Sequence, residues 1–219
     1  MYLTIEDLLS QTDLDKAIRI IEEEDPKWWE DGTTTAGVAA SQVKVNKQLN
    51  QFCSSYEKLV GLVGHVLGKN LLFNSFSVPK KIHSFIFSKT TEGGKYGDHV
   101  DNAFINGRRT DLSFTIFLND PSEYEGGYLV SEEFDGIKLK SGDAILYPSS
   151  TLHEVTEVTS GTRLVCCGWV ESRVKDPYQR ELLFDLNSAK MSMLANQGKT
   201  EEFDLICKSH NNLLRMWSI

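Results

Sequence analysis

What this sequence lacks removes several functional classes. Its 219 residues contain four cysteines and no Cys-x-x-Cys pair, so neither a zinc ribbon nor a dithiol redox motif is present. Cys166 and Cys167 fall within an apolar run, where adjacent thiols read as small hydrophobic side chains. No apolar stretch approaches the roughly 20 residues that cross a bilayer. Basic charge is short: 23 Lys and Arg face 31 Asp and Glu, a net charge of −8, which argues against a broad nucleic-acid-binding face. Lys44, Lys47, Lys80-Lys81 and Arg108-Arg109 read as solvated charges rather than a basic patch. No internal repeat or low-complexity linker divides the chain. Reduced thiols and no recognisable signal sequence point to the cytoplasm.

The residues present form many short, turn-delimited strands. Ile82 to Ser88 is an apolar run, followed by an expected loop from Thr90 to Gly97. Asp111 to Leu118 alternates polar with apolar, as a half-buried strand does. Tyr128 to Val130 follows a Gly-Gly turn, and Phe134 to Leu139 suggests a hairpin segment. Ala144 to Tyr147 is a short strand stopped by Pro148; Val155 to Val158 is expected to end in a turn at Ser160-Gly161. Leu164 to Val170 closes the series. This grammar predicts a sandwich or jelly roll, with chemistry at its open end.

Three residues carry that chemistry. In a strand, His99 and Asp101 project to one face while Val100 points away, so both side chains can converge on one ion. His153 from another strand completes two imidazoles and one carboxylate, the facial set that leaves three positions open on a non-haem Fe(II). Arg163 opens the last apolar strand, and a guanidinium there needs an anion. An internal carboxylate such as Asp111 or Glu171 would serve, as would a small dicarboxylate held by the bidentate fork.

Longer motifs occur around these residues, including Tyr96-Gly97-Asp98-His99-Val100-Asp101, Arg109-Thr110-Asp111-Leu112-Ser113 and Phe117-Leu118-Asn119-Asp120-Pro121. Gly126-Gly127, Gly142-Asp143, Tyr147-Pro148-Ser149-Ser150 and the His153-to-Arg163 spacing follow in order. Together they resemble the PKHD-type hydroxylases, a bacterial and phage branch of the prolyl-4-hydroxylase-like Fe(II)- and 2-oxoglutarate-dependent dioxygenases. Segments from Asp31-Gly32 through Gln42-Val43-Lys44 and from His210 to Arg215 extend the similarity over nearly the whole chain. The resemblance implies Fe(II) on His99, Asp101 and His153, and the distal carboxylate of 2-oxoglutarate on Arg163. It also implies hydroxylation of an unactivated C–H bond with release of succinate and CO2, and ascorbate as reductant. The chain departs from the family pattern at Asp98, where a bulky residue is usual, and in Ser88 to Gly94, which lacks the family's aromatic. Tyr96 and Tyr147 are therefore the candidates for a second contact to 2-oxoglutarate.

The expected fold is α+β: a double-stranded β-helix with N- and C-terminal helices packed around it, forming one compact unit. Residues 1–78 form the helical N-terminal region, 79–174 the jelly-roll core and 175–219 the C-terminal helices. Thr4 to Asp7 resembles a capping box for a first helix bearing Leu8, Leu9, Leu14, Ile18 and Ile21. A second helix is expected from Gln48 through Leu67. Trp28 and Trp29 either anchor the first helix or line a substrate entrance. Thr33 to Gly37 reads as a mobile loop able to cover the metal, with Lys44 and Asn46 after it as substrate-proximal candidates. His65, His83 and His210 read as packed or surface residues. Apolar positions on the terminal helices would either pack on the barrel or pair two copies of the chain. The substrate, a small molecule or a peptide, is not specified by these residues. Two other readings stand beside hydroxylation of such a substrate: a non-catalytic sensor of iron or 2-oxoglutarate, and an oxygenase acting on nucleobases or free amino acids.

Overall fold

The computed structural model describes residues 1–35, 37 and 40–219. Along the chain run β1 (Leu3–Ile5), α1 (Gln11–Glu22), β2 (Trp29–Asp31), β3 (Lys44–Val45), β4 (Lys47–Leu49), α2 (Ser54–Lys69) and α3 (Leu71–Ser77). There follow β5 (Pro79–Thr91), β6 (Lys95–His99), β7 (Phe104–Ile105), β8 (Arg108–Arg109), β9 (Leu112–Phe117), β10 (Tyr124–Gly126) and β11 (Leu129–Ser131). The chain ends with β12 (Ala144–Pro148), β13 (His153–Val155), β14 (Val158–Ser172), α4 (Pro177–Gln197) and α5 (Glu201–Trp217).

Two antiparallel sheets face each other, the jelly-roll core expected from the strand grammar. The large one has the order β1-β12-β9-β14-β5-β4-β2, with β10 added beside β14; the small one has the order β11-β13-β6-β3. Side-chain alternation splits the large sheet into two environments. Phe85, Phe87, Phe114, Ile116, Leu146 and Cys166 point outward onto Leu14, Ile21, Leu59, Val63, Phe73 and Phe76 of the helices. Phe117, Ile145, Tyr147 and Val165 point inward and pack with Leu129 of the small sheet. A bulge at Ser84, whose φ is +55°, shifts the β5–β14 register, so Ile82 and Phe85 both reach the helix side.

The alternation in β9 has a different cause from the one expected. All six residues of β9 are buried, because Ser113 and Thr115 face the interior between the sheets rather than solvent. Four boundaries also differ. Thr4 lies in β1, and α1 is capped by Ser10, whose hydroxyl accepts from Asp13 N at 3.2 Å. The apolar pair Leu8-Leu9 is buried in the turn before that cap, where Leu9 N bonds Gly142 O at 3.0 Å. Gln48 belongs to β4, paired with Ser88, and the helix begins only at Ser54. The loop before His99 shrinks to residues 92–94, since β5 extends to Thr91 and β6 starts at Lys95.

Ser160-Gly161 is not a turn but part of β14. Gly161 has φ +77°, and a Cβ there would sit 2.2 Å from Glu123 O, so glycine permits the close approach of β10. The Phe134–Leu139 segment contributes only a bridge, Leu129 to Ile137, rather than a hairpin strand. Trp28 and Trp29 pack against the helix-side core, as anchors do. His65 is exposed, whereas His83 is buried between Ser84 Oγ and Arg109 O, both at 3.0 Å. The Thr33–Gly37 loop includes Ala36, outside the described residues; Gly32–Thr35 before it form a 3-10 helix. α5 lies along α4 and buries no residue fully. Among the described residues, no helix is long and apolar enough to cross a membrane.

Candidate metal centre

His99 and His153 are directly opposed across the β6–β13 ladder, so their rings approach to a centroid distance of 4.3 Å. β6 ends at His99, and Asp101 reaches the same point without strand regularity to direct it. Side-chain bonds hold it instead. Its Oδ2 accepts from Trp169 Nε1 at 2.9 Å and from the Ser113 hydroxyl, which Ser149 contacts at 2.8 Å. Oδ1 is left 3.9 Å from His99 Nε2. One ligand atom from each of the three side chains lies within 4.8 Å of the others. Val100 projects outward and is half exposed.

Each imidazole is fixed by a carbonyl two residues earlier. His99 Nδ1 donates to Gly97 O at 2.8 Å, and His153 Nδ1 to Thr151 O at 2.9 Å. These bonds select the tautomer that leaves Nε2 as the acceptor available to a metal. Burial, reinforced by the neighbouring His153, pushes the His99 pKa down to about 4, so its ring is neutral and ready to ligate near pH 7. Two nitrogens and one carboxylate oxygen suit Fe(II) with open positions.

Arg163 lines the same cavity and is 3 % exposed. The internal carboxylates offered as its partners are already engaged. Arg109 forks onto Asp111 at 3.2 and 3.0 Å, and Glu171 meets Lys80, Arg108 and Arg109 at 3.3 to 3.8 Å. Among the described residues Arg163 Nε has no hydrogen-bond partner, and the guanidinium sits 5.5 Å from the Phe117 ring centre. Gly127 gives its stem room, because a Cβ there would lie 2.9 Å from Arg163 Cδ. A buried guanidinium whose Nε is unsatisfied and that meets no carboxylate among the described residues is costly unless an anion arrives. The donor set and this orphaned cation fit an iron and a dicarboxylate together.

Tyr147, Tyr96, Lys44 and Asn46 also line the cavity. Tyr147 is buried beside His153, its ring 5.1 Å away, and burial raises its phenol pKa although Arg163 opposes the rise. Tyr96 stacks on His99 at 3.6 Å, with its phenol pushed up to about 12 by burial. Asn46 donates to Ser88 Oγ at 2.6 Å, and its Oδ1 has no partner. Sequence reasoning missed Ser113, Trp169 and the cavity-lining thiol of Cys167. Strand parity could have found two of them, since Arg163, Val165, Cys167 and Trp169 share one face of β14.

Comparison with known proteins agrees with this geometry. Residues 85–171 match the family model of the 2OG-Fe(II) oxygenase superfamily. A PKHD-type hydroxylase of Acaryochloris marina is 50 % identical over 221 residues, covering all of both chains. One from Prochlorococcus marinus (strain SARG) is 45 % identical, covering 98 % of this chain and 97 % of its own. Among solved structures, a viral collagen prolyl hydroxylase from Paramecium Bursaria Chlorella virus-1, in its 2OG complex, superposes with a TM-score of 0.56 at 18 % identity. The match covers 78 % of this chain and 96 % of that one. A Pseudomonas putida prolyl-4-hydroxylase gives 0.55 at 17 % identity, covering 78 % and 92 %. At those identities the structures establish the shared fold, a double-stranded β-helix.

Proposed function

Because the chain belongs to the PKHD-type hydroxylases of the 2OG-Fe(II) oxygenase superfamily, we propose how its own residues divide the work. His99, Asp101 and His153 hold Fe(II), and Arg163 takes the distal carboxylate of 2-oxoglutarate. The observation that carries this reading is the coexistence, in one cavity, of a converged two-His-one-carboxylate set and a buried arginine that pairs with no carboxylate among the described residues. Bound together, Fe(II) and 2-oxoglutarate supply oxidative decarboxylation to succinate and CO2, coupled to hydroxylation of a C–H bond.

The protein's part is positioning and exclusion of water. Gly97 O and Thr151 O hold the imidazoles in the ligating tautomer, while Ser113 and Trp169 restrict Asp101 to one free oxygen. Tyr147 lies on the Arg163 side of the centre, and we assign it the second contact to 2-oxoglutarate. Tyr96 stacks on His99, and we place the substrate on that side of the centre. Ile86, Leu129 and Val165 supply apolar wall. Ascorbate is the reductant that would return over-oxidised iron to Fe(II).

The test is consumption of 2-oxoglutarate with Fe(II) and O2, followed as succinate formed. The wild-type chain should produce succinate only with iron, and His153→Ala should abolish it, since two protein ligands hold the ion poorly. Wild-type turnover in His153→Ala would refute the ligand assignment.

A further inference from the structure

With Arg163 assigned to the co-substrate, a second buried cation in the cavity still lacks an anion. Lys44 is 6 % exposed, and its ammonium lies 4.6 Å over the Tyr96 ring, which in turn stacks on His99. It donates to Thr35 Oγ1 at 3.2 Å, a hydroxyl that itself donates to Gln48 Oε1 at 2.6 Å. Among the described residues, no carboxylate forms an ion pair with Lys44. An ammonium has three donors, so one neutral hydroxyl and an aromatic face leave it undersupplied. Burial brings its pKa down only to about 8, so it remains charged near pH 7.

Charge balance sharpens the point. In the loaded site, the two positive charges of iron and one of Arg163 balance one negative charge of Asp101 and two of 2-oxoglutarate. Lys44 then leaves the cavity with one uncompensated positive charge. Lys95 at the rim does not alter this, because it is exposed and paired with Glu157 at 3.3 Å.

We propose that Lys44 recognises a substrate bearing one anionic group, a carboxylate or a phosphate, seated on the Tyr96 side of the iron. This rests on Arg163 serving 2-oxoglutarate. It narrows the substrate class to anionic molecules or segments and places their charge one aromatic ring away from an iron ligand. The oxidised carbon is then set by its reach from that anchor.

The full chain is loaded with Mn(II) in place of iron and with 2-oxoglutarate, then titrated with 13C-labelled acetate and with inorganic phosphate. Broadening of the 13C and 31P signals by the paramagnetic ion reports saturable binding near the metal. The wild type should bind at least one of the two anions. Lys44→Met should weaken that binding at least tenfold with 2-oxoglutarate affinity within twofold, while Lys44→Arg should retain it. Preference for acetate identifies a carboxylate substrate, and preference for phosphate a phosphorylated one. Lys44→Gln replaces the methionine variant if the latter does not fold. No saturable binding to the wild type, or unchanged binding in the neutral variant, overturns the proposal. So does a tenfold loss of 2-oxoglutarate affinity in that variant, which would assign Lys44 to the co-substrate. Failure of the wild type to bind 2-oxoglutarate with the metal would instead refute the iron and co-substrate reading, and this proposal with it.

Discussion

Replacing Trp169 with Phe should weaken metal binding without touching a ligand. The indole N–H donates to Asp101 Oδ2 at 2.9 Å, on the oxygen not aimed at the ion. A hydrogen bond to a charged carboxylate contributes about 1.5–3 kcal/mol, and loss of such a support typically lowers metal affinity about 10- to 100-fold. Ser113 still holds the same oxygen in the variant, so the lower part of that range applies: about 1.5–2 kcal/mol, or roughly 10- to 30-fold. Removing Ser113 as well frees the carboxylate to rotate, and the double variant should lose more than the sum of the single losses. Calorimetric titration with Co(II), without 2-oxoglutarate, measures each affinity against His153→Ala as the baseline. Wild-type affinity in Trp169→Phe, or a double variant no weaker than either single one, would show that Asp101 needs no such clamp.

Two further outcomes follow from the same centre. The His99 pKa of about 4 lies below its unfolded value near 6.5, so the unfolded state binds the extra proton first. In the metal-free protein this group should therefore stabilise the fold fully above about pH 6.5, a contribution that is lost as the pH falls toward 4. Urea melts should show a shallower pH dependence in His99→Asn, and identical slopes would contradict the buried neutral ring. Gly127→Ala places a Cβ 2.9 Å from Arg163 Cδ at a φ of +64°, so 2-oxoglutarate affinity should fall more than about tenfold while Co(II) affinity alone changes little. Equal loss of both in paired titrations would mean a general collapse of the site rather than displacement of Arg163.

The candidate metal set, which the structure brings together, was readable because its signal is local: His99 and Asp101 are two residues apart, and His153 opens a short strand after a proline turn. Arg163 was readable as a charge in an apolar strand, but its freedom was not. Whether Asp111 and Glu171 were available depended on Arg109, which sits far along the chain from Arg163 and nearer both carboxylates in space. The β4 error has a similar origin. Lys47 to Leu49 is too short to carry a period, and its pairing with β5 and β2, not its own pattern, makes it a strand. Gly161 shows the limit of punctuation rules, since a glycine that admits a neighbouring backbone looks, in one dimension, like a turn. Lys44 and Asn46 were expected near the substrate, and the cavity contains both.

β14 carries Arg163 and, six residues later, Trp169, about 20 Å along an extended strand. The residue we assign to the far end of the co-substrate and the one that holds the Asp101 carboxylate are thus mounted on one continuous ruler. Insertion or deletion of one residue between them would turn one of the two to the helix side, where Leu164 and Cys166 pack. The chain therefore has no freedom to rescale the distance that β14 sets between these two positions.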